Sequence, residues 1–467
     1  MNKSHEYISL NKSDLLYLAF EDLVPSAAQI ITLRFKTKHG TEEIKSAFLH
    51  MLSLYPKLRA IIEPTLLSYR FKILNDEHHI KSLFDNAFSV ETGLTFGSKE
   101  YKILQNNLLK ESFTLQHSLP FRIKYLPEEN ILFITLHHIT SDGAGWLHMT
   151  SSLLAYLNEK ETTPVPVDNP SMTPGIFKSP YITIPRQLYD SWLIHKEDKK
   201  ITSNDKVIIP SPKQFDFFGY ADMQQKFLKY NLSELKPRTK ELGCSLNVYI
   251  STAIARTFFN LYDEDKGDTV AIRLAYDLRP YFEKDKPVFG NYVTTTVLRA
   301  YRQDINQPEL MISKFQDQLS EAINRLKNKQ LSYPWFIDKV FTLLGKKIYS
   351  QGILLAKKKS IFQSTIHFST LGNGDWLNNF GEKSKVKDLI FTVPTSGLFI
   401  TMLNIDGIFN INLSYPSEEF SHDTITSITN SFDNELGFLL KDKNPAPAIN
   451  DSKKEEQLEK LEPIAES

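Results

Sequence analysis

Two adjacent histidines followed by an aspartate and a glycine, His137-His138-Ile139-Thr140-Ser141-Asp142-Gly143, carry the most chemistry in this sequence. An imidazole ionises near neutral pH, at about 6.5, so it can take a proton from a hydroxyl or amine and give it back within one cycle. That is the work of a general base when an oxygen or nitrogen attacks a carbonyl carbon. His138 is the candidate base, and His137, Asp142 and Gly143 complete the candidate catalytic set. An aspartate four residues past the second histidine can bind the loop internally or pair with a buried arginine. The adjacent glycine permits a tight turn that other side chains would obstruct. A second pair, His78-His79, serves as a control: the residue four past it is Leu83, and the pair reads as surface or loop histidines. A structural pair or half of a metal site is the competing reading of His137-His138. Zinc needs three or four His, Cys or carboxylate ligands at suitable spacing, which one cysteine and scattered histidines fit poorly, so no metal is expected.

The elements that must hold such a base are legible around it. Pro120–Leu126 and Ile131–Leu136 read as adjacent strands joined by a turn at Pro127-Glu128-Glu129-Asn130, and the second strand delivers the chain to His137. Gly145 to Leu157 has the length and apolar spacing of a helix, so the histidines stand where a buried strand ends and a helix begins. Upstream, a helical pattern covers Asp14 to Leu23 and a strand-like run covers Ile30 to Phe35. Ile44, Ala47, Phe48, Met51 and Leu52 recur at helical spacing behind Thr41 as N-cap, ending near Tyr55-Pro56. A helix is also predicted over Lys99–Phe113. Later strands are predicted at Lys226–Tyr230, Thr269–Asp277, Tyr292–Arg299, Gln363–Phe368, Gly397–Leu403 and Gly407–Leu413. Helices are predicted at Ser233–Leu242, Ser245–Tyr262 and Ser421–Leu440.

At 467 residues the chain exceeds one ordinary core, so a mixed α/β protein in two halves is expected. The divisions are 1–175 for the N-terminal subdomain, 176–222 for a proline-rich connecting segment with a short helix near Leu188–Ile194, and 223–440 for the C-terminal subdomain. Residues 441–467 are Pro/Ala- and then Lys/Glu-rich and read as a disordered tail. Lys+Arg and Asp+Glu balance at 55 each, which argues against a nucleic-acid partner. The start lacks the apolar core of a secretory signal, and no run approaches the ~18 apolar residues of a membrane span, so the cytoplasm is the expected location. The single cysteine, Cys244, reads as a buried structural thiol.

With these residues in view, the chain resembles the chloramphenicol-acetyltransferase-like superfamily, which includes condensation domains and alcohol acetyltransferases. The resemblance runs from about Ser9 to Leu440. It rests on the His-His-x-x-x-Asp-Gly segment and, by order and spacing, on Leu54-Tyr55-Pro56-Lys57-Leu58-Arg59 and Leu119-Pro120-Phe121-Arg122. Further along, Gly243–Tyr249 is similar to a family helix start, although Val248 replaces the usual aspartate. Asp277-Leu278-Arg279-Pro280 with Phe289-Gly290-Asn291 matches another segment, and Phe368-Ser369-Thr370-Leu371-Gly372 a third, with Thr370 where asparagine is common.

The resemblance implies two similar α/β subdomains packed as a pseudo-dimer around a tunnel, with His138 as base at its middle. It implies an acyltransferase that moves an acyl group from a thioester, acyl-CoA or acyl carrier protein, to a hydroxyl or amine. Asp142 would be structural and paired with Arg279, whose bland alternative is a surface arginine beside a strand end. The Gly143 amide is a candidate oxyanion donor, Ser369 and Asn291 are weaker oxyanion or tunnel candidates, and Asn291 is expected to order a turn more than to touch substrate. No cofactor is implied beyond the coenzyme A or phosphopantetheine thioester itself. The partners would be that donor, a carrier protein included, and a small-molecule or lipid acceptor; the chain is expected to be a monomer. Trp335–Lys359 mixes apolar residues with six lysines and suits an anionic membrane surface, a phosphate-bearing donor or a solvated basic face. The rival function is a non-catalytic binding or docking module that keeps the condensation-domain fold.

Overall fold

The computed structural model describes residues 6–66, 68–166, 184–211, 221–282, 288–328, 330, 344–359 and 363–441. The first stretch contains β1 (Glu6–Ser9), α1 (Lys12–Phe20), β2 (Ala28–Phe35), α2 (Thr41–Leu54), β3 (Ala60–Pro64) and β4 (Tyr69–Ile73). Next come α3 (Glu77–Ala87), β5 (Phe88–Val90), α4 (Lys99–Lys110), β6 (Phe121–Leu126), β7 (Ile131–His137) and α5 (Gly143–Leu157). After α6 (Ile184–Thr202) the chain forms β8 (Met223–Asn231), α7 (Leu232–Glu241), α8 (Leu246–Leu261), β9 (Thr269–Asp277) and β10 (Val293–Tyr301). It closes with α9 (Pro308–Lys327), α10 (Lys346–Lys358), β11 (Ile366–Asn373), β12 (Val386–Thr392), β13 (Phe399–Ile405), β14 (Ile408–Pro416) and α11 (His422–Lys441).

Most of these elements have a local cause. In α2, Ile44, Ala47, Phe48, Met51 and Leu52 form the buried stripe that the apolar spacing predicts. Its cap differs from the sequence reading. Gly40 rather than Thr41 is the N-cap, and the Glu43 carboxylate accepts the Gly40 N–H at 3.3 Å, leaving Thr41 as the first helical residue. In α1, Asn11 and Asp14 form a reciprocal capping box, which fixes the helix start that brings Tyr17 inward. The Pro127–Asn130 turn closes with Asn130 at φ 55°, a left-handed position that asparagine tolerates.

Two large sheets organise the molecule. The first has strand order β12-β2-β7-β6-β5 and the second β10-β9-β11-β13-β14-β8, while β1-β4-β3 form a small third sheet. In the first sheet, β7 is buried at every residue, with α2 and α5 packed together in the same core. In the second, alternate residues such as Ile272, Phe368, Ile400 and Ile411 face a core built with α8, α9 and α11. One strand crosses between the halves. β12 lies late in the chain yet pairs antiparallel with β2, with Leu389 opposite Leu33 and Phe391 opposite Ile31. The sequence reading left β12, the β3–β4 hairpin, α3 and α9 unassigned, and it gave α6 fewer residues than its 19. Residues 167–175 at the end of the expected N-terminal subdomain, 176–183 and 212–220 of the expected connecting segment, 335–343 of the lysine-rich segment and the expected tail after Lys441 lie outside the described residues. No described helix is long and apolar enough to cross a membrane.

Candidate active site

The end of β7 carries His137 into the sheet and turns His138 out of it. The last β7 pairing sets His137 against Ala28, and the His138 N–H then donates to the Ala27 carbonyl at 3.0 Å. His137 is fully buried, and the fold occupies both of its ring nitrogens. The Ile139 N–H donates to Nδ1 at 3.1 Å, so Nε2 carries the proton and faces Glu21 Oε1 at 3.0 Å. His137 therefore pins the strand end to the chain just past α1 and presents no nitrogen to a substrate.

His138 has a different setting. Its ring stacks on Tyr17 of α1 with centroids 3.7 Å apart and planes 9° from parallel. Trp146 of α5 lies 5.0 Å away at a tilt of 53°. The Nδ1 atom is 3.1 Å from Asn291 Oδ1. That amide has a determined orientation, because its Nδ2 donates to Asp14 Oδ1 at 2.9 Å and to the His138 carbonyl at 2.8 Å. Oδ1 is thus the end that meets the imidazole, and an acceptor there requires a proton on Nδ1. The remaining nitrogen, Nε2, keeps its lone pair. Burial among the aromatic rings pulls the His138 pKa down to about 4, opposed by a hydrogen bond to its own carbonyl and by the charge of Asp142. The ring is a neutral base at physiological pH.

Behind Asn291 the chain of contacts ends in a buried ion pair. Asp14 and Lys57 are almost inaccessible, with Lys57 Nζ 3.7 Å from Asp14 Oδ2. A carboxylate in this position needs such a partner. Asn291, expected to order a turn or line a tunnel, has both ends of its amide engaged by protein atoms. It is the side chain that selects the His138 tautomer.

The loop after His138 is held from the other half of the chain. Asp142 caps α5 by accepting the Gly145 N–H at 3.1 Å. The same carboxylate takes two guanidinium bonds from Arg279, at 2.9 and 3.1 Å, and the Tyr292 N–H at 2.6 Å. The Asp142 and Ser141 main and side chains meet Gly290: Asp142 N–H donates to the Gly290 carbonyl at 3.1 Å, and Gly290 N–H donates to Ser141 Oγ at 2.9 Å. Arg279 also binds Asp277 at 2.9 Å. Burial alone would weaken the guanidinium charge, but Asp142 and Asp277 outweigh it and hold the pKa above its ordinary value. Asp142 is thus fully committed to structure, and Arg279 is a buried partner rather than a surface residue.

Gly143 opens α5, and its N–H is among the four that a helix leaves without an internal acceptor. A Cβ at Gly143 would stand 2.6 Å from Leu371 Cδ2, so the bare backbone lets Leu371 approach. Gly145 is more constrained, since a Cβ there would meet Ser141 Oγ at 1.9 Å. Ser369 lies on β11, opposite Ala275 of β9 and Thr401 of β13, two residues before Leu371. The sequence reading missed Tyr17, Asp14, Lys57, Trp146 and Leu371 as site residues. Cys244 is buried and its pKa is pushed up to about 12 by that burial, so it is an inert thiol. Among the described residues no group of three or more His, Cys, Asp or Glu side chains could hold a metal ion.

The sequence matches no protein-family profile and no curated protein. Solved structures do match. The epimerization domain from the third module of tyrocidine synthetase B covers 94% of this chain and 98% of its own, with a TM-score of 0.63 at 13% identity. The trichothecene 15-O-acetyltransferase TRI3 from Fusarium sporotrichioides covers 93% and 94%, with a TM-score of 0.67 at 11% identity. The first condensation domain of the CDA synthetase covers 97% and 99%, with a TM-score of 0.67 at 10% identity. With both halves and nearly the whole length accounted for, the chain has the chloramphenicol-acetyltransferase-like fold that these condensation domains share.

Proposed function

We propose that this protein is an acyltransferase that moves an acyl group from a thioester to a hydroxyl or amine, with His138 as general base. The observation that carries this reading is the fixed tautomer of His138, which leaves an unprotonated Nε2 in a water-poor setting on the loop that leads into the N-terminus of α5. In the reaction, Nε2 takes the acceptor's proton as its oxygen or nitrogen bonds to the thioester carbonyl carbon. The carbonyl oxygen becomes an oxyanion, for which the Gly143 N–H at the start of α5 is the backbone donor. Collapse breaks the carbon–sulfur bond, and the leaving thiolate takes the proton back from Nε2. The donor is coenzyme A or the phosphopantetheine arm of a carrier protein, and the same chemistry serves a small-molecule or a lipid acceptor. Among similar structures, one is named an acetyltransferase and another a condensation domain, which supports the reaction class.

Incubation with a panel of acyl-CoA and acyl-pantetheine thioesters, with alcohols and amines as acceptors, tests the reading through release of free thiol. The His138→Ala variant is expected to lower turnover by ~10²–10⁴. Equal turnover in that variant would refute the assignment of the base. Absence of thiol release by the wild-type protein across the panel would favour the non-catalytic module instead.

A further inference from the structure

Where β12 crosses into the first sheet it leaves a cavity of about 160 Å³ against the β13–β14–β8 end of the second sheet. Phe96, Phe227, Phe391, Leu371, Thr401 and Leu403 are among the residues that line it. Its two ends differ. At one, Asp388 binds Arg34 at 3.2 Å and Lys229 at 2.8 Å, and the Lys229 side chain is 55% exposed, which marks a charged mouth at the solvent. At the other stands Leu371, the residue whose side chain closes on Gly143. One leucine therefore separates the amide that would face an acyl carbonyl from a mostly apolar chamber.

We propose that this chamber is the binding site for the acyl chain of the donor, with Leu371 as the residue that governs entry from the reacting carbonyl. The inference rests on the acyltransferase reading above. The acyl chain is favoured over the acceptor because the acceptor's nucleophile must reach His138 Nε2. The carbon attached to the carbonyl, by contrast, must lie beside the oxyanion donor, which is where Leu371 touches Gly143. The size sets the class. A dry cavity of about 150 Å³ holds a ligand the size of benzene, so a chain of about six carbons fills this one. A longer chain would have to part the Arg34–Asp388–Lys229 cluster.

The test compares linear acyl-pantetheines from acetyl to dodecanoyl, which carry the arm common to coenzyme A and carrier proteins. Thioester cleavage by the wild-type protein is expected to rise about fourfold in kcat/KM per added methylene as far as hexanoyl and then level or fall. Thr401→Phe, which fills the chamber, is expected to lower the hexanoyl-to-acetyl ratio at least tenfold. Leu371→Ala, which widens the entrance, is expected to shift the optimum to longer chains. A measurement without variants supports the same point: hexanoyl-pantetheine should raise the midpoint of thermal unfolding of the wild-type protein more than acetyl-pantetheine does. Cleavage whose chain-length profile is flat, or is the same in both variants as in wild type, would overturn the chamber assignment and leave the acyltransferase reading standing. Absence of cleavage at every chain length would remove both.

Discussion

The ring of His138 is chemically identical to that of His79; what separates them is their surroundings. His79 is exposed at the start of α3, where its main-chain N–H merely helps cap the helix against Asp76. His138 lies between Tyr17 and Trp146, with its Nδ1 proton committed to Asn291. The sign of the resulting pH dependence follows directly. Burial disfavours the charged ring, so the pKa falls from 6.5 to about 4, and protonation inactivates a base. Activity limited by His138 is expected to hold as pH drops through 6.5 and to be lost on an acid limb centred near 4, read from kcat/KM against pH. Tyr17→Ala exposes one face of the ring to water. It should move that limb upward toward the ordinary histidine value while lowering kcat; an unmoved limb would mean that the stack does not desolvate the base. Nothing local in the sequence announces this arrangement. Asn291 is 153 positions from His138, and Asp14 is 277 positions from Asn291. The pattern of two histidines, an aspartate and a glycine marks His138 as the candidate base, but its tautomer is decided by side chains that only the folded chain brings near.

At the scale of elements, the legible parts are those whose signal is local. The α2 stripe, the Pro127–Asn130 turn and the run from β7 into α5 follow from apolar spacing and turn chemistry, so their positions are readable within a few residues. β12 is different. Val386-Lys387-Asp388-Leu389-Ile390-Phe391-Thr392 is a short mixed run, and it becomes a strand because the edge of β2, some 350 positions earlier in the chain, is there to receive it. The start of α5 likewise depends on a distant partner. Asp142 caps the helix and at the same time neutralises Arg279. Asp142→Ala removes the cap and leaves a buried guanidinium with Asp277 as its remaining carboxylate, which should destabilise the protein by about 3–5 kcal/mol in urea unfolding. Combining it with Arg279→Met removes the stranded charge. The double variant is therefore expected to lose clearly less than the sum of the two single losses. Strict additivity would show that the two side chains do not act as a pair.

Across the whole molecule, the ties between the two halves include two that have different chemistry. One is polar: Arg279, Gly290, Asn291 and Tyr292 of the second half grip the His138–Asp142 loop of the first. The other is the shared strand, since β12 leaves the second half to complete the first sheet and Asn412 of β14 donates to the Phe391 carbonyl at 2.7 Å. The candidate site is assembled from both halves and would need this rigidity, because a base and an oxyanion donor lose their effect when displaced by about 1 Å. Domains joined by a linker alone would open independently, whereas a strand withdrawn from the first sheet exposes the edge of β2 and unpairs a buried core. The two halves are thus expected to unfold as one cooperative unit. Native-state hydrogen exchange reads this at single amides: the slowest amides of β2 and β7 and those of β11 and β13 should share one opening free energy. Phe391→Ala, which loosens β12 from the core beneath it, should lower that common value by about 3–5 kcal/mol in both sheets together. A fall confined to the amides of the first sheet would mean that the strand joins the halves in space without coupling their stability.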